Sequence, residues 1–252
     1  MSRKMKNRVG EIRKSNCGLM KIIEYNGALD ITVKFKTGSI VKTNYDHFKK
    51  GEVKDPLFPS VFGIGYVGVG KYKPSINRKL TIEYITWQNM LKRCYDPLTI
   101  NRQPTYRNVT VCEEWKNFQT FAEWHQENYY KISGEIIELD KDIIKRDNKI
   151  YCPEFCSFVP QSINKLLIKS DKSRGKYPIG VCFHKPLNKY QSQLAINGKI
   201  KHLGYFSTST EAFQSYKIAK EKQVKIIANK YKNVLDQRLY NSLMQYEILI
   251  TD

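Results

Sequence analysis

Carboxylates gather in the middle of a chain that is otherwise basic. Residues 113–142 contain eight acidic side chains against three lysines, and the stretch ends in the run ELDKD at 138–142. Carboxylate oxygens are ligands that Mg²⁺ binds readily, and a bound metal ion can lower the pKa of water until it becomes a nucleophile. This stretch therefore predicts either a divalent-metal site or a solvated face that offsets positive charge elsewhere.

A second set of polar side chains alternates along a predicted hairpin over 189–206, which turns at Asn197-Gly198. If the apolar positions face a helix, strand alternation directs Gln191 and Gln193 outward, together with Cys182. Glutamine can bond both N6 and N7 of adenine, so this face suits base edges in a major groove. An ordinary solvated hairpin remains an alternative. The residues predicted to contact nucleic acid are His184, Lys185, Lys189, Gln191, Gln193, Lys201 and His202.

The charge of the chain favours a polyanionic partner. Forty-three Lys and Arg residues face 24 Asp and Glu residues, which gives a net charge of +19, and residues 165–201 hold nine basic side chains against Asp171 alone. Aromatic residues make up 12% of the chain, so it is expected to fold. A folded chain this basic predicts a nucleic acid as partner, through phosphate contacts that release counterions. An RNA-binding or protein-inhibiting module, an anionic membrane and an acidic protein remain alternatives.

The elements that must position these residues indicate an α+β fold in four parts. Residues 1–14 carry six basic side chains and one acidic one, as in a flexible basic arm, and residues 15–75 alternate as a small antiparallel β meander. The glycine-rich stretch FGIGYVGVGKY fails the dinucleotide-binding spacing and predicts a connector with phosphate contacts at Lys71 and Lys73. Residues 76–170 form a central region with helices, and residues 171–252 place a three-stranded antiparallel sheet on a long helix.

Two helices are expected in the central region, over 80–94 and around 113–129, and the aromatic stripe of the second is expected to be buried. His125 is predicted to lie at the surface. The following run predicts a strand ending near Asp140, a turn at Asp147-Asn148, a second strand, and a helix that contains Asn164.

The C-terminal part resembles a known DNA-binding domain. YPIGVCFHKPLNKYQSQLAINGKIKHLGYFSTSTEAF looks like the APETALA-type domain of plant ethylene-response factors, which also occurs in phage and homing nucleases. The resemblance implies that the helix supports the sheet and that the exposed sheet face enters the major groove. Where that family usually has arginines on the first strand, this chain has Cys182 and His184.

The central part resembles phage-encoded HNH-type endonucleases that end in the same module, on the motifs ITWQNMLKRCYDP, VTVCEEWKNFQTFAEW, ELDKDI and YCPEFCSFVPQSIN. The resemblance implies a ββα site with Mg²⁺ or Mn²⁺ bound by Asp140 and Asn164. Lys141 stands where the family has its general-base histidine, and Asp142 is an alternative base. DNA cleavage is therefore one hypothesis, and the other is a non-catalytic DNA-binding regulator or host-defence antagonist on the same scaffold.

Cysteine use and hydropathy complete the expectations. The sequence shows no signal peptide and no apolar run long enough to span a membrane, so we expect a cytoplasmic protein without a membrane partner. If it is phage-encoded, this would be the cytoplasm of the host bacterium. A small-molecule substrate is not expected. Six cysteines in a reducing compartment indicate thiols or metal ligands. A structural zinc on Cys94, Cys112, Cys152 and Cys156 is an alternative, but their spacing is wider than that of usual zinc knuckles, so buried thiols are preferred.

Overall fold

The computed structural model describes residues 7–168, 175–196 and 198–252, and the fold is α+β, as predicted. The chain divides into an N-terminal unit, Met1–Glu127 with Lys149–Cys152, and a C-terminal unit, Asn128–Asn148 with Pro153–Asp252. This division is coarser than the four parts expected from sequence, which remain a prediction. Within the described ranges, no helix combines the length and apolar character needed to cross a membrane.

The N-terminal unit begins with a four-stranded antiparallel sheet. Its strands lie in chain order, and a short helix follows. The elements are β1 (Ile12–Ser15), β2 (Gly18–Gly27), β3 (Asp30–Phe35), β4 (Ile40–Thr43) and α1 (Tyr45–Lys50). Alternation buries Met20, Ile22 and Val33 on one face, against Phe48 of α1. The predicted basic arm overlaps this sheet, because residues 12–14 belong to β1; residues 1–6 lie outside the described ranges.

The rest of the N-terminal unit packs aromatic side chains between helices. Its elements are β5 (Ser75–Ile76), β6 (Lys79–Leu80), α2 (Ile82–Tyr95), α3 (Pro97–Arg102), β7 (Thr110–Val111), α4 (Phe118–Asn128) and β9 (Ile150–Tyr151). Trp87 of α2 lies 5.5 Å from Phe118 of α4, centroid to centroid, and both are fully buried. Helix α2 ends where predicted, at Asp96-Pro97, because Asp96 caps the next helix by accepting the Thr99 N–H.

The side chain of Gln119 holds the glycine-rich connector on α4. Gln119 Nε2 donates to the carbonyls of Val67 and Tyr72, and Gln119 Oε1 accepts the Tyr72 N–H at 3.0 Å. A Cβ on Gly70 would lie 2.3 Å from Gln119 Oε1, so glycine permits this close approach. The connector therefore has a structural role, and the predicted phosphate contacts of Lys71 and Lys73 remain a prediction.

The C-terminal unit contains a ββα segment and a three-stranded sheet on a long helix. Its elements are β8 (Ile137–Asp140), β10 (Ser157–Pro160), α5 (Gln161–Leu167), β11 (Val181–His184), β12 (Lys189–Ile196), β13 (Lys199–Phe206), α6 (Ser209–Lys230) and α7 (Gln237–Met244). Strand β8 pairs antiparallel with β10, whereas β9 pairs in parallel with β7. The segment after Asp147-Asn148, predicted as one strand, therefore contains two strands, β9 and β10, that pair with different partners.

Helix α6 contributes to two cores. Its first half lies under the sheet, where Phe213 and Tyr216 pack with Leu194 of β12. Its second half buries Val224 and Ala228 in a cluster that also contains Val159, Ile163, Tyr231, Leu235, Leu239 and Leu243. A capping box starts the helix: the Thr208 hydroxyl accepts the Glu211 N–H, and the Glu211 carboxylate accepts the Thr208 N–H.

Candidate nucleic-acid interface and acidic loop

One face of the β11–β13 sheet is sealed by α6. Ser192 and Leu194 of β12 are buried on this side, as predicted from the alternation. Gly180, just before β11, has φ +77°, and a Cβ there would lie 2.1 Å from the Tyr216 ring of α6. Glycine is therefore required at this position both by the backbone conformation and by the space that the tyrosine occupies.

The opposite face carries the polar side chains and is called here the glutamine face. Paired residues share a face, and the register sets Gln191 opposite Tyr205, Gln193 opposite His202, and Lys189 opposite His184. Two ring contacts also join residues of this face: Tyr205 lies 5.0 Å from His184 and 4.5 Å from His202, centroid to centroid. The glutamine face comprises Cys182, His184, Lys189, Gln191, Gln193, His202 and Tyr205.

A β-bulge decides which residues of β13 reach this face. Ser192 pairs with Gly204 and Gln193 with His202, so Leu203 is the extra residue, and it packs toward the helix. Lys201 pairs with Leu194 and therefore lies on the helix side of this edge strand, although its side chain is exposed. The sequence grouped Lys201 with the glutamines. The structure separates it from them and adds Tyr205, which the sequence analysis did not select.

The glutamine face carries Lys189 and no carboxylate, and its polar groups have few partners. Residues 175–206 contain five lysines and no acidic residue. Lys185 and Lys189 are exposed at the turn between β11 and β12. Gln191 Oε1 accepts a weak hydrogen bond from the Cys182 thiol at 3.8 Å, and in the described ranges no hydrogen bond engages the Gln193 side chain. The amide of Gln193 is thus available to an external partner.

The acidic loop after β8, residues 140–148, uses its polar groups internally. Asp140 Oδ1 accepts the backbone N–H groups of Asp142 and Ile143, both at 2.8 Å, and so closes the turn that follows the strand. Burial raises the pKa of the Asp140 carboxyl above its ordinary value, and the two N–H donors oppose that shift only in part. Asp140 therefore shapes the loop in addition to any role at a metal site.

Lys141 is buried at the centre of this loop. Its ammonium group donates to Asp142 Oδ1 at 2.5 Å and to the Asn148 carbonyl at 2.7 Å, while Asn148 Nδ2 donates back to the Lys141 carbonyl at 2.9 Å. These hydrogen bonds use the Lys141 ammonium group inside the loop. This arrangement favours a structural role for Lys141 over the general-base role considered from the sequence.

Glu138 is a site residue that the sequence analysis missed. It lies two residues before Asp140 on the same face of β8, and it accepts the amide N–H of Asn164 at 2.8 Å and that of Gln161 at 2.9 Å. Asn164 thus contacts Glu138, whereas the resemblance implied that it shares a metal ion with Asp140. In ELD the two carboxylates are two residues apart, so on a strand they lie on the same face. This spacing could have identified Glu138 from the sequence.

The structure leaves the metal expectations untested. Across residues 7–168, 175–196 and 198–252, no group of three or more His, Cys, Asp or Glu side chains has metal-binding geometry. Cys94, Cys152 and Cys156 are buried, whereas Cys112 is partly exposed. His125, expected at the surface, is buried on α4, and burial lowers its pKa to about 4.

Comparisons with known proteins give no family assignment. No protein-family model, no curated protein and no solved structure matches the chain. The function must therefore be inferred from the chemistry of the glutamine face and of the acidic loop.

Proposed function

We propose that this protein binds double-stranded DNA and selects its site with the glutamine face. The observation that carries the proposal is the pair Gln191 and Gln193, on one exposed, acid-free sheet face whose opposite side is sealed by α6. The major groove of B-DNA is about 12 Å wide, and strands lie about 4.8 Å apart, so two or three strands fit its width. The resemblance to APETALA-type domains points to the same docking mode.

The side chains of this face divide into two classes of contact. Gln191 and Gln193 can each bond the N6 and N7 atoms of adenine, and His184 and His202 can donate to guanine acceptors. Lys185 and Lys189, at the turn between β11 and β12, are placed at the rim, where phosphates would lie. The glutamines would then set sequence preference, while the lysines would supply affinity that does not depend on sequence.

The test is a DNA-binding measurement on sites selected from a random duplex library. We expect Gln193→Ala to reduce discrimination at one base pair by about 1–3 kcal/mol. Lys189→Ala should weaken binding to all duplexes alike and reduce the salt slope by about 1. Gln126→Ala, at an exposed position of α4, is the matched control. Unchanged affinity and preference in both variants would show that the glutamine face is not the docking surface.

A second candidate function, metal-dependent DNA cleavage, is favoured by the ββα segment. Strands β8 and β10 pair antiparallel, and β10 leads directly into α5. Glu138 and Asn164, which contact each other, and Asp140, two residues after Glu138, offer hard oxygen donors in this segment. These donor types suit Mg²⁺ or Mn²⁺. Such an ion would supply a water of lowered pKa. Because Lys141 is engaged in the loop, it does not provide the missing base.

Cleavage is tested by incubating supercoiled DNA with the protein and with Mg²⁺, Mn²⁺ or EDTA. Metal-dependent nicking that is lost in an Asp140→Ala, Asn164→Ala double variant and in Glu138→Gln, but kept in the exposed control Glu127→Gln, would establish the nuclease. Intact DNA together with a retarded band would instead support a binding protein that does not cleave, such as a regulator or a host-defence antagonist.

A further inference from the structure

The outer face of the N-terminal sheet carries lysines on all four strands. It is the face opposite the core of Met20, Ile22 and Val33. The register places Lys21 of β2 directly opposite Lys34 of β3, with Ile12 and Ile40 continuing the row on either side. Lys14 on β1 and Lys42 on β4 belong to the same face, opposite Leu19 and Thr32 respectively. We call Lys14, Lys21, Lys34 and Lys42 the lysine face.

The positive charge of this face is not neutralised within the N-terminal sheet. In the described part of the chain, no ion pair involves any of the four lysines, and all four are exposed. One carboxylate, Glu24, lies on the same face, opposite Thr32, whose hydroxyl donates to it at 2.8 Å, and Asp30 accepts the Asn26 amide at 3.1 Å. Residues 12–43 contain six basic and two acidic side chains.

The direct pairing of Lys21 with Lys34 opposes folding. Residues directly opposite on antiparallel strands have Cβ atoms about 4.5–5.5 Å apart, and like charges there are destabilising. A protein can offset this repulsion by binding an anion over the pair. Four strands span about 14 Å, so the four ammonium groups form an extended positive surface of the kind that fits a chain of phosphates.

We infer that the lysine face is a second nucleic-acid contact surface, which binds the phosphate backbone of duplex DNA without reading bases. The lysine ammonium groups of this face are flexible point charges suited to phosphates, and phosphate contacts position a protein on DNA without specifying its sequence. This contact is separate from the glutamine face, which belongs to the other unit, and it adds affinity that is independent of sequence. It gives residues 15–60 a role in DNA binding.

The experiment compares two quadruple variants of the full chain by DNA affinity at several salt concentrations. The test variant carries Lys14→Gln, Lys21→Gln, Lys34→Gln and Lys42→Gln. The matched control removes four exposed lysines of the same unit that lie outside the lysine face, by Lys49→Gln, Lys50→Gln, Lys54→Gln and Lys79→Gln. We expect the test variant to lose about 3–4 units of the salt slope on every duplex, and to melt no lower than the wild type, because the repulsion between Lys21 and Lys34 is removed. The control should lose less than about 1 unit.

A third variant separates this inference from the proposed function of the glutamine face. A triple variant with Lys189→Ala, Gln191→Ala and Gln193→Ala should lose sequence preference but keep sequence-independent binding. Adding the four lysine-face substitutions should remove this remaining binding. If the lysine-face variant keeps the wild-type slope while the triple variant loses preference, the inference is wrong and the proposed function stands. Binding to vesicles of phosphatidylserine and phosphatidylcholine that depends on these four lysines, with unchanged DNA affinity, would assign the face to membranes and also overturn the inference.

Discussion

The glutamine face and the acidic loop differ in what their polar side chains bind. In the loop, Asp140 caps a turn and Lys141 is buried between a carboxylate and a carbonyl, so both groups serve the fold. On the sheet, the Gln193 side-chain amide has no hydrogen-bond partner in the described ranges. Within the same ranges, Tyr205 is the aromatic ring that His184 and His202 contact. Polar groups engaged inside the protein contribute to stability, whereas groups left accessible on a rigid sheet are suited to recognition.

The largest effect is expected on the helix side of the same sheet, at Gly180. Gly180→Ala should lower the free energy of unfolding by about 3 kcal/mol, because it adds backbone strain and an overlap with the Tyr216 ring. Gly198→Ala is the matched control: its φ is +75°, but nothing lies within 4 Å of the added Cβ, so only about 1 kcal/mol of strain is expected. Urea unfolding measures both. If Gly180→Ala and Gly198→Ala lowered the free energy of unfolding equally, the Tyr216 ring would have to move aside at little cost.

The next effect tests the acidic loop. Lys141→Met should lower the free energy of unfolding by about 2–3 kcal/mol, because the buried Asn148 carbonyl loses its ammonium donor. Asp142→Asn, at a half-exposed carboxylate, should cost less than about 1 kcal/mol. Chemical denaturation checks both values. A Lys141→Met protein that is as stable as wild type but has lost a nicking activity would return Lys141 to the general-base role.

A pH-dependent effect of about 1–2 kcal/mol is expected where α5 meets α6. Lys220 is buried and donates to the Leu166 carbonyl, and burial lowers its pKa to about 8. Because the unfolded chain then binds more protons than the native one above pH 8, stability should rise between pH 7.5 and 9.5. Lys220→Met should remove this rise. A stability profile that is identical in wild type and variant over this range would contradict the assignment.

The smallest effect on stability is expected on the glutamine face itself. Gln191→Ala and Gln193→Ala should each change the free energy of unfolding by less than about 0.5 kcal/mol, because neither side chain is buried in the core. Thermal melting of these two variants and of Lys141→Met, measured side by side, compares the loss of stability on the glutamine face with that in the acidic loop. A loss above 1 kcal/mol in either variant would place these glutamines among the structural groups.

Much of the C-terminal sheet could be predicted from local signals. Two of its three strands have the predicted bounds, and Thr208 with Glu211 marks the start of α6 by a capping box. The bulge at Leu203 was missed, because strict alternation was assumed across β13. Gly204, with φ +138°, was the available signal, since glycine inside a strand often marks a bulge. That bulge decides the face of Tyr205, whereas the face of Lys201 follows from the turn register, which pairs Lys201 with Leu194.

The acidic loop was less predictable because its contacts join residues distant in sequence. The hydrogen bonds from Asn164 to Glu138 and from Tyr130 to the Phe158 carbonyl depend on how β8, β10 and α5 pack. Hydrophobic periodicity indicates where such elements lie, but not which strand pairs with which, so the β8–β10 pairing across residues 141–156 was not foreseen. The burial of His125 has the same origin, because a packed neighbour, rather than local pattern, decides it.

Helix α6 has a practical consequence for dissecting the protein. Its 22 residues, about 33 Å long, place one half under the sheet and the other half in a core shared with β10, α5 and α7. A fragment that begins at residue 171 would therefore expose Val224 and Ala228 to water and would be prone to aggregation. The sheet and the ββα segment should lose their amide protection together in hydrogen exchange, as one cooperative block.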